Sequence, residues 1–157
     1  MDATALLRPG LLDGRVVALG GDEAGAGALG APLAALGARL APLPAALDED
    51  AMAAAVDPAT DALVHDLRPA FADGLRAALD LAWVTMRAVA TVAFIPGRRG
   101  GKVTLVAPAP DDAEPAAAGA RAAAENLART LSIEWARHGI ATVAIAPGAD
   151  TLTLAAT

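Results

Sequence analysis

Short apolar runs at residues 15–19, 39–43, 62–64, 102–107 and 141–146 alternate with longer stretches that read as helices. No other feature constrains the fold as much. The runs look like buried parallel strands, and the stretches at 31–36, 48–56, 71–94 and 116–137 have helical length and composition. Strands that alternate with helices require right-handed crossovers and a parallel sheet covered on both faces. The expected architecture is a doubly wound α/β domain with about five strands.

Several boundaries have local causes. The helix at residue 48 opens on Asp48, Glu49 and Asp50, where its dipole is positive, and stops before Pro58. The longest helix should end at Ile95-Pro96-Gly97, before the basic turn 98–101. Residues 107–115, interrupted by Pro108, Pro110 and Pro115, read as a loop, and Gly139 as a C-cap behind a basic last turn. Pro42 lacks a ladder donor and puts the second strand at the sheet edge. The segment between Pro44 and His65 has room for one helix but no further strand. The expected layout is a flexible start at 1–10, one domain at 11–151 and a tail at 152–157.

A chain of 157 residues is one domain, and its low aromatic content (3%) implies a closely packed core of Ala, Val and Leu. A net charge of -6 argues against nucleic acid and anionic membrane surfaces as partners. Without cysteine there is no disulfide, thiolate ligand or thiol nucleophile. The N-terminal residues lack the basic start and apolar stretch of a signal peptide, and no segment reads as a membrane span, so a soluble cytoplasmic protein is expected.

The first strand runs into Gly20-Gly21-Asp22-Glu23-Ala24-Gly25-Ala26-Gly27. Gly21, Gly25 and Gly27 could let the backbone approach a pyrophosphate at a helix N-terminus, or could simply pack strand against helix. Asp22 and Glu23 weigh toward packing, because they set two carboxylates where a diphosphate would sit. The acid expected after the second strand to bond a ribose is absent, and proline stands there. His65, Asp66 and Arg68 gather at the end of a strand, where a base or ligand could act, but a solvated loop is the plainer reading. Two histidines make a metal site poor odds, and His138 is read as a capping cation.

From Leu11 to Thr151 the chain resembles the short-chain dehydrogenases/reductases. The opening Leu-Leu-Asp-Gly-Arg-Val-Val-Ala-Leu-Gly-Gly is similar to that family's first strand and glycine turn. The stretch from Asn126 to Gly148 resembles its active-site helix, following strand and Pro-Gly turn. The resemblance implies a Rossmann-like sheet, NAD(P) as cofactor, and a Tyr-x-x-x-Lys pair that works with a serine and an asparagine. The Tyr and Lys positions fall on Ala117 and Arg121, the serine on Pro108 and the asparagine on Ala78. The sequence contains no tyrosine at all, and its one lysine is Lys102. The family's Asn-Asn-Ala-Gly reads His65-Asp66-Leu67-Arg68, and the substrate-covering elements that would follow residue 148 are expected to be missing.

Without a positioned acid, a bound carbonyl gains no proton in the transition state, a loss of roughly 10²–10⁴-fold in rate. The expected function is therefore that of a non-catalytic relative acting as a structural or regulatory subunit, with no cofactor. Its partner would be itself or a full-length relative, joined through the helices around 71–94 and 116–137. Trp83, Met86, residues 89–92, the alanines of 116–124 and Trp135 would line that contact. The alternatives are an NAD(P)-dependent oxidoreductase with residual or partner-completed activity, and a decayed product with no selected role.

Overall fold

The computed structural model describes residues 7–21, 29–71, 73–110 and 115–146. Strands β1 (Val16–Gly20), β2 (Arg39–Pro42), β3 (Ala62–Asp66), β4 (Gly101–Val106) and β5 (Ile140–Ile145) form one parallel sheet in the order β2-β1-β3-β4-β5. The fold is the expected α/β doubly wound type. β1, paired on both sides by β2 and β3, is buried along its whole length, whereas the edge strands β2 and β5 are partly exposed. Pro42 pairs with Leu19 on the edge strand β2, the place proline tolerates.

Helices α1 (Gly30–Ala35), α2 (Glu49–Ala55), α3 (Arg68–Phe71), α4 (Leu75–Val89), α5 (Ile95–Gly97) and α6 (Pro115–Glu134) connect the strands. The side chains of α2, α4 and α6 share one core with Ala18, Leu63, Val103 and Leu105 on a single face of the sheet. Asp48 starts α2 as expected, its carboxylate accepting from Ala51 N at 2.7 Å. α6 passes into a 3₁₀ turn, Ala136–His138, and Gly139 ends it in the left-handed conformation (φ 70°).

Three boundaries differ from expectation. The segment expected as one helix over 71–94 is divided, because Gly74 takes φ 108° and separates α3 from α4. α4 then continues through a π turn, Ala90–Phe94, into α5. Pro96 explains this: it has no N–H, and its ring would strike the carbonyl four residues back. The turn widens, and Ile95 N–H donates to Ala90 O, five residues back. Finally, β3 runs two residues beyond the expected end, because His65 is paired with Gly20 and Leu105, and Asp66 with Val106.

The continuous helix Leu75–Gly97 reaches a mean hydropathy of 1.6 and has the length to cross a bilayer. More than half of that window (56%) is buried inside the fold, so the apolar composition serves the core. Met86 and Val89 of α4 and Ala117, Ala120 and Ala124 of α6 are buried within the chain's own fold. Trp83 (43% exposed) and Ile133 (73%) remain on the outer faces of the two helices.

Candidate functional site

In open α/β sheets, chemistry gathers beyond the carboxyl ends of the strands. At that end of this sheet, guanidinium groups are engaged by the chain itself. Asp66, buried at the end of β3, accepts from Arg68 Nε at 2.8 Å, Arg68 Nη2 at 2.7 Å and the Arg68 backbone N–H at 3.0 Å. Arg121 of α6 reaches over the ends of two neighbouring strands, donating from Nη1 to Pro108 O at 2.8 Å and from Nη2 to Ala146 O at 3.3 Å. Each contact satisfies a carboxylate or carbonyl that would otherwise face the site.

His65 does not lie in a solvated loop. Its ring is fully buried in β3, on the face packed by α4, and neither nitrogen has a hydrogen-bond partner. The Thr85 hydroxyl gives its proton to Leu81 O of its own helix, so it leaves the imidazole unpartnered. Gly20 makes the room. A Cβ at that position would stand 2.5 Å from His65 Nδ1 and 2.8 Å from Thr85 Cγ2. Burial pushes the His65 imidazole down to about 4, against a smaller upward pull from the Asp66 carboxylate. The ring therefore packs between β1 and α4, away from solvent, while Asp66 and Arg68 pair with each other at the strand end.

Gly21 has φ 84°, and a Cβ on it would come within 1.9 Å of Asp66 O. The glycine is required by the close approach of the β1 turn to the end of β3. Gly25 and Gly27 lie outside the described residues, as do Asp22 and Glu23. A cleft of about 510 Å³ opens beside Gly21, walled by Ala45, Leu47, Pro69, Ala77 and Leu81. Asp73 is the only charged side chain among its described lining residues.

No family model matches the chain, and no curated protein matches it. The solved structures do show its likeness. A citronellol catabolism dehydrogenase from Pseudomonas aeruginosa superimposes with a TM-score of 0.68 at 22% identity, over 91% of this chain and 77% of that one. A short-chain type dehydrogenase/reductase from Mycobacterium marinum gives 0.70 at 16% identity, over 94% and 78%. An Agrobacterium tumefaciens protein solved with bound NADP gives 0.60 at 22% identity, over 90% and 74%. The fold is that of the short-chain dehydrogenases/reductases.

Within this short-chain dehydrogenase fold, the positions singled out by sequence sit as follows. Ala78 is buried on α4 and Ala117 on α6, each 2% exposed. Pro108 follows β4 and gives its carbonyl to Arg121, so two of the four positions meet directly. The described residues fit an NAD(P) diphosphate poorly. The cleft beside Gly21 has apolar walls and one carboxylate, and its described lining includes no cationic or hydroxyl side chain. An apolar group suits that lining better than a dianion does.

Sequence reasoning missed the role of Asp61. Its Oδ2 accepts from Val16 N at 2.9 Å, tying the segment before β3 to the start of β1, while Oδ1 lies 3.5 Å from both Arg15 and Arg99. An acid one residue ahead of an apolar run, in a chain whose first strand is preceded by Arg15, was the available signal.

Proposed function

We propose that this chain is a non-catalytic relative of the short-chain dehydrogenases, acting as a structural or regulatory subunit that binds no nucleotide. It would associate with itself or with a full-length relative through α4 and α6. The observation that carries the reading is Arg121. The resemblance puts it at the lysine position, and its guanidinium donates to two main-chain carbonyls, Pro108 O and Ala146 O, in a sequence that lacks tyrosine. Trp83 and Ile133 support the association, as exposed apolar side chains on the two helices concerned.

The test pairs two measurements on the full chain. Titration with NADPH and NADH should leave the melting temperature unchanged at millimolar cofactor, where even micromolar binding would raise it visibly. Sedimentation should show an oligomer that Trp83→Asp together with Ile133→Asp converts to monomer. A cofactor-dependent rise in melting temperature would support the second reading, an NAD(P)-dependent oxidoreductase, which draws on the fold shared with the NADP-bound Agrobacterium protein. A monomer that also fails to bind a full-length relative would sink the subunit role.

A further inference from the structure

The opposite end of the sheet carries an open groove of about 820 Å³. Two loops far apart in sequence form it: the turn that leads into β4, with Arg98 and Arg99, and the turn that leads into β5, with Arg137 and His138. Ile95 and Pro96 make an apolar wall beside the cations.

Three observations mark this groove as more than a solvated basic turn. First, its described lining contains no carboxylate, in a chain whose net charge is -6. Among the described residues, Arg98 and Arg137 have no acid within ion-pair distance, and Arg99 shares the single carboxylate of Asp61 with Arg15 at 3.5 Å. Exposed pairs of that length neutralise little, so the groove stays positive. Second, Arg98 is the only non-glycine residue with positive φ (51°) among those described. A glycine there would be cheaper by about 1 kcal/mol, so the guanidinium is held at a backbone cost. Third, the two loops are locked in register. Gly101 N donates to Gly139 O at 3.3 Å, and a Cβ on Gly100 would meet Gly139 O at 2.3 Å. That contact fixes the spacing between the cations of one loop and those of the other.

We propose that the groove binds a phosphate ester of a small organic molecule. The phosphoryl group would lie between Arg98 and Arg137, and the organic body against Ile95 and Pro96. Guanidinium forks match phosphate oxygens two at a time, and the groove volume suits a small-molecule ligand. The site lies at the end of the sheet remote from Gly21 and Arg121, where the helical segments continuing from α4 and α6 end.

Phenyl phosphate is the probe, titrated into the full chain by calorimetry and followed by amide shifts in labelled protein. Saturable binding is expected, with shifts centred on Gly100, Gly101 and Gly139, and weaker binding of inorganic phosphate. Arg98→Gly and Arg137→Gln should each weaken binding about tenfold or more, the loss expected when a charge-assisted hydrogen bond is removed. Arg98→Gly relieves the left-handed backbone, so its melting temperature should match or exceed that of the parent, which separates loss of the site from loss of the fold. The proposal is overturned if both variants bind as the parent does, or if the shifts centre on Gly21. It is equally overturned if the protein takes an oligonucleotide but not phenyl phosphate.

Discussion

The two ends of the sheet spend their arginines in opposite ways. At the carboxyl end, Arg68 closes on Asp66 and Arg121 closes on Pro108 O and Ala146 O, so each cation completes a contact within the chain. At the amino end, Arg98 and Arg137 face an open groove whose described lining holds no acid, with Arg137 Nε donating to the neighbouring His138 Nε2 at 3.0 Å. A fold normally keeps its carboxyl end open for ligands and its amino end for stability. Among the described residues, the carboxyl end keeps Arg68 and Arg121 on internal partners near a cleft with apolar walls, while the amino end leaves Arg98 and Arg137 without an acid. A fold family therefore predicts where chemistry usually sits, and the engagement of the charged side chains decides where it can sit in a given chain.

The strongest way to break this comparison is at Gly21. If the turn is packed rather than adaptable, Gly21→Ala drives a methyl into Asp66 O and costs at least about 3 kcal/mol in chemical denaturation. Gly119→Ala, in open space on α6, should instead gain up to about 1 kcal/mol. Equal effects of the two substitutions would show that the carboxyl end is not closed.

The next effect is a pH dependence. The folded state holds His65 neutral down to about pH 4, while the unfolded chain protonates near its ordinary value of 6.5. Between those limits the unfolded state binds the extra proton. Stability is therefore full above pH 6.5 and falls as pH drops toward 4, by an amount on the order of 3 kcal/mol. His65→Leu removes the titration and two unpartnered nitrogens, so it should flatten this slope and leave the protein at neutral pH as stable as the parent or more so. An unchanged slope in the variant would show that His65 is reached by water.

The smallest effect compares two arginines directly. Arg121→Met removes the donors to Pro108 O and Ala146 O and should lower stability by about 1–2 kcal/mol, whereas Arg137→Met, at the groove, should change it by less than about 0.5 kcal/mol. Thermal melts of the pair measure the asymmetry between the ends.

Much of the fold could be read from local signals. Pro42 marked the edge strand, Asp48 the start of α2 and Gly139 the end of the helical segment before β5, because each acts through its own backbone. What could not be read depends on partners distant in sequence. His65-Asp66 looks polar and loop-like until Gly20 on β1 and Val106 on β4 are seen to pair with it and carry β3 forward. The division at Gly74 sits inside an otherwise continuous helical pattern, and only the observed φ of 108° reveals it. The apolar stripes on the two long helices also read alike for a core or for a contact between chains. Burial separates Met86 and Val89, which cover the sheet, from Trp83, which does not. Half of the basic groove was legible, since the turn with Arg98 and Arg99 reads as basic in the sequence, but Arg137 joins it only because β4 and β5 are neighbours.

The π turn at Ala90–Phe94 has a consequence for insertions and deletions. A π turn holds one residue more than the α-helical turn it replaces, so a gene that lost one codon there could still form an unbroken ladder. The preceding helix would then keep its rotational phase relative to Phe94, because the extra residue is absorbed within the single wide turn. Arg76, Asp80 and Arg87 would stay in water beside Trp83, and the core face carrying Met86 and Val89 would stay against the sheet. A one-codon deletion at this point should behave more like a trimmed loop than like a shift of register, whereas the same deletion in the α-helical part of α4 would turn every residue before it by roughly 100°.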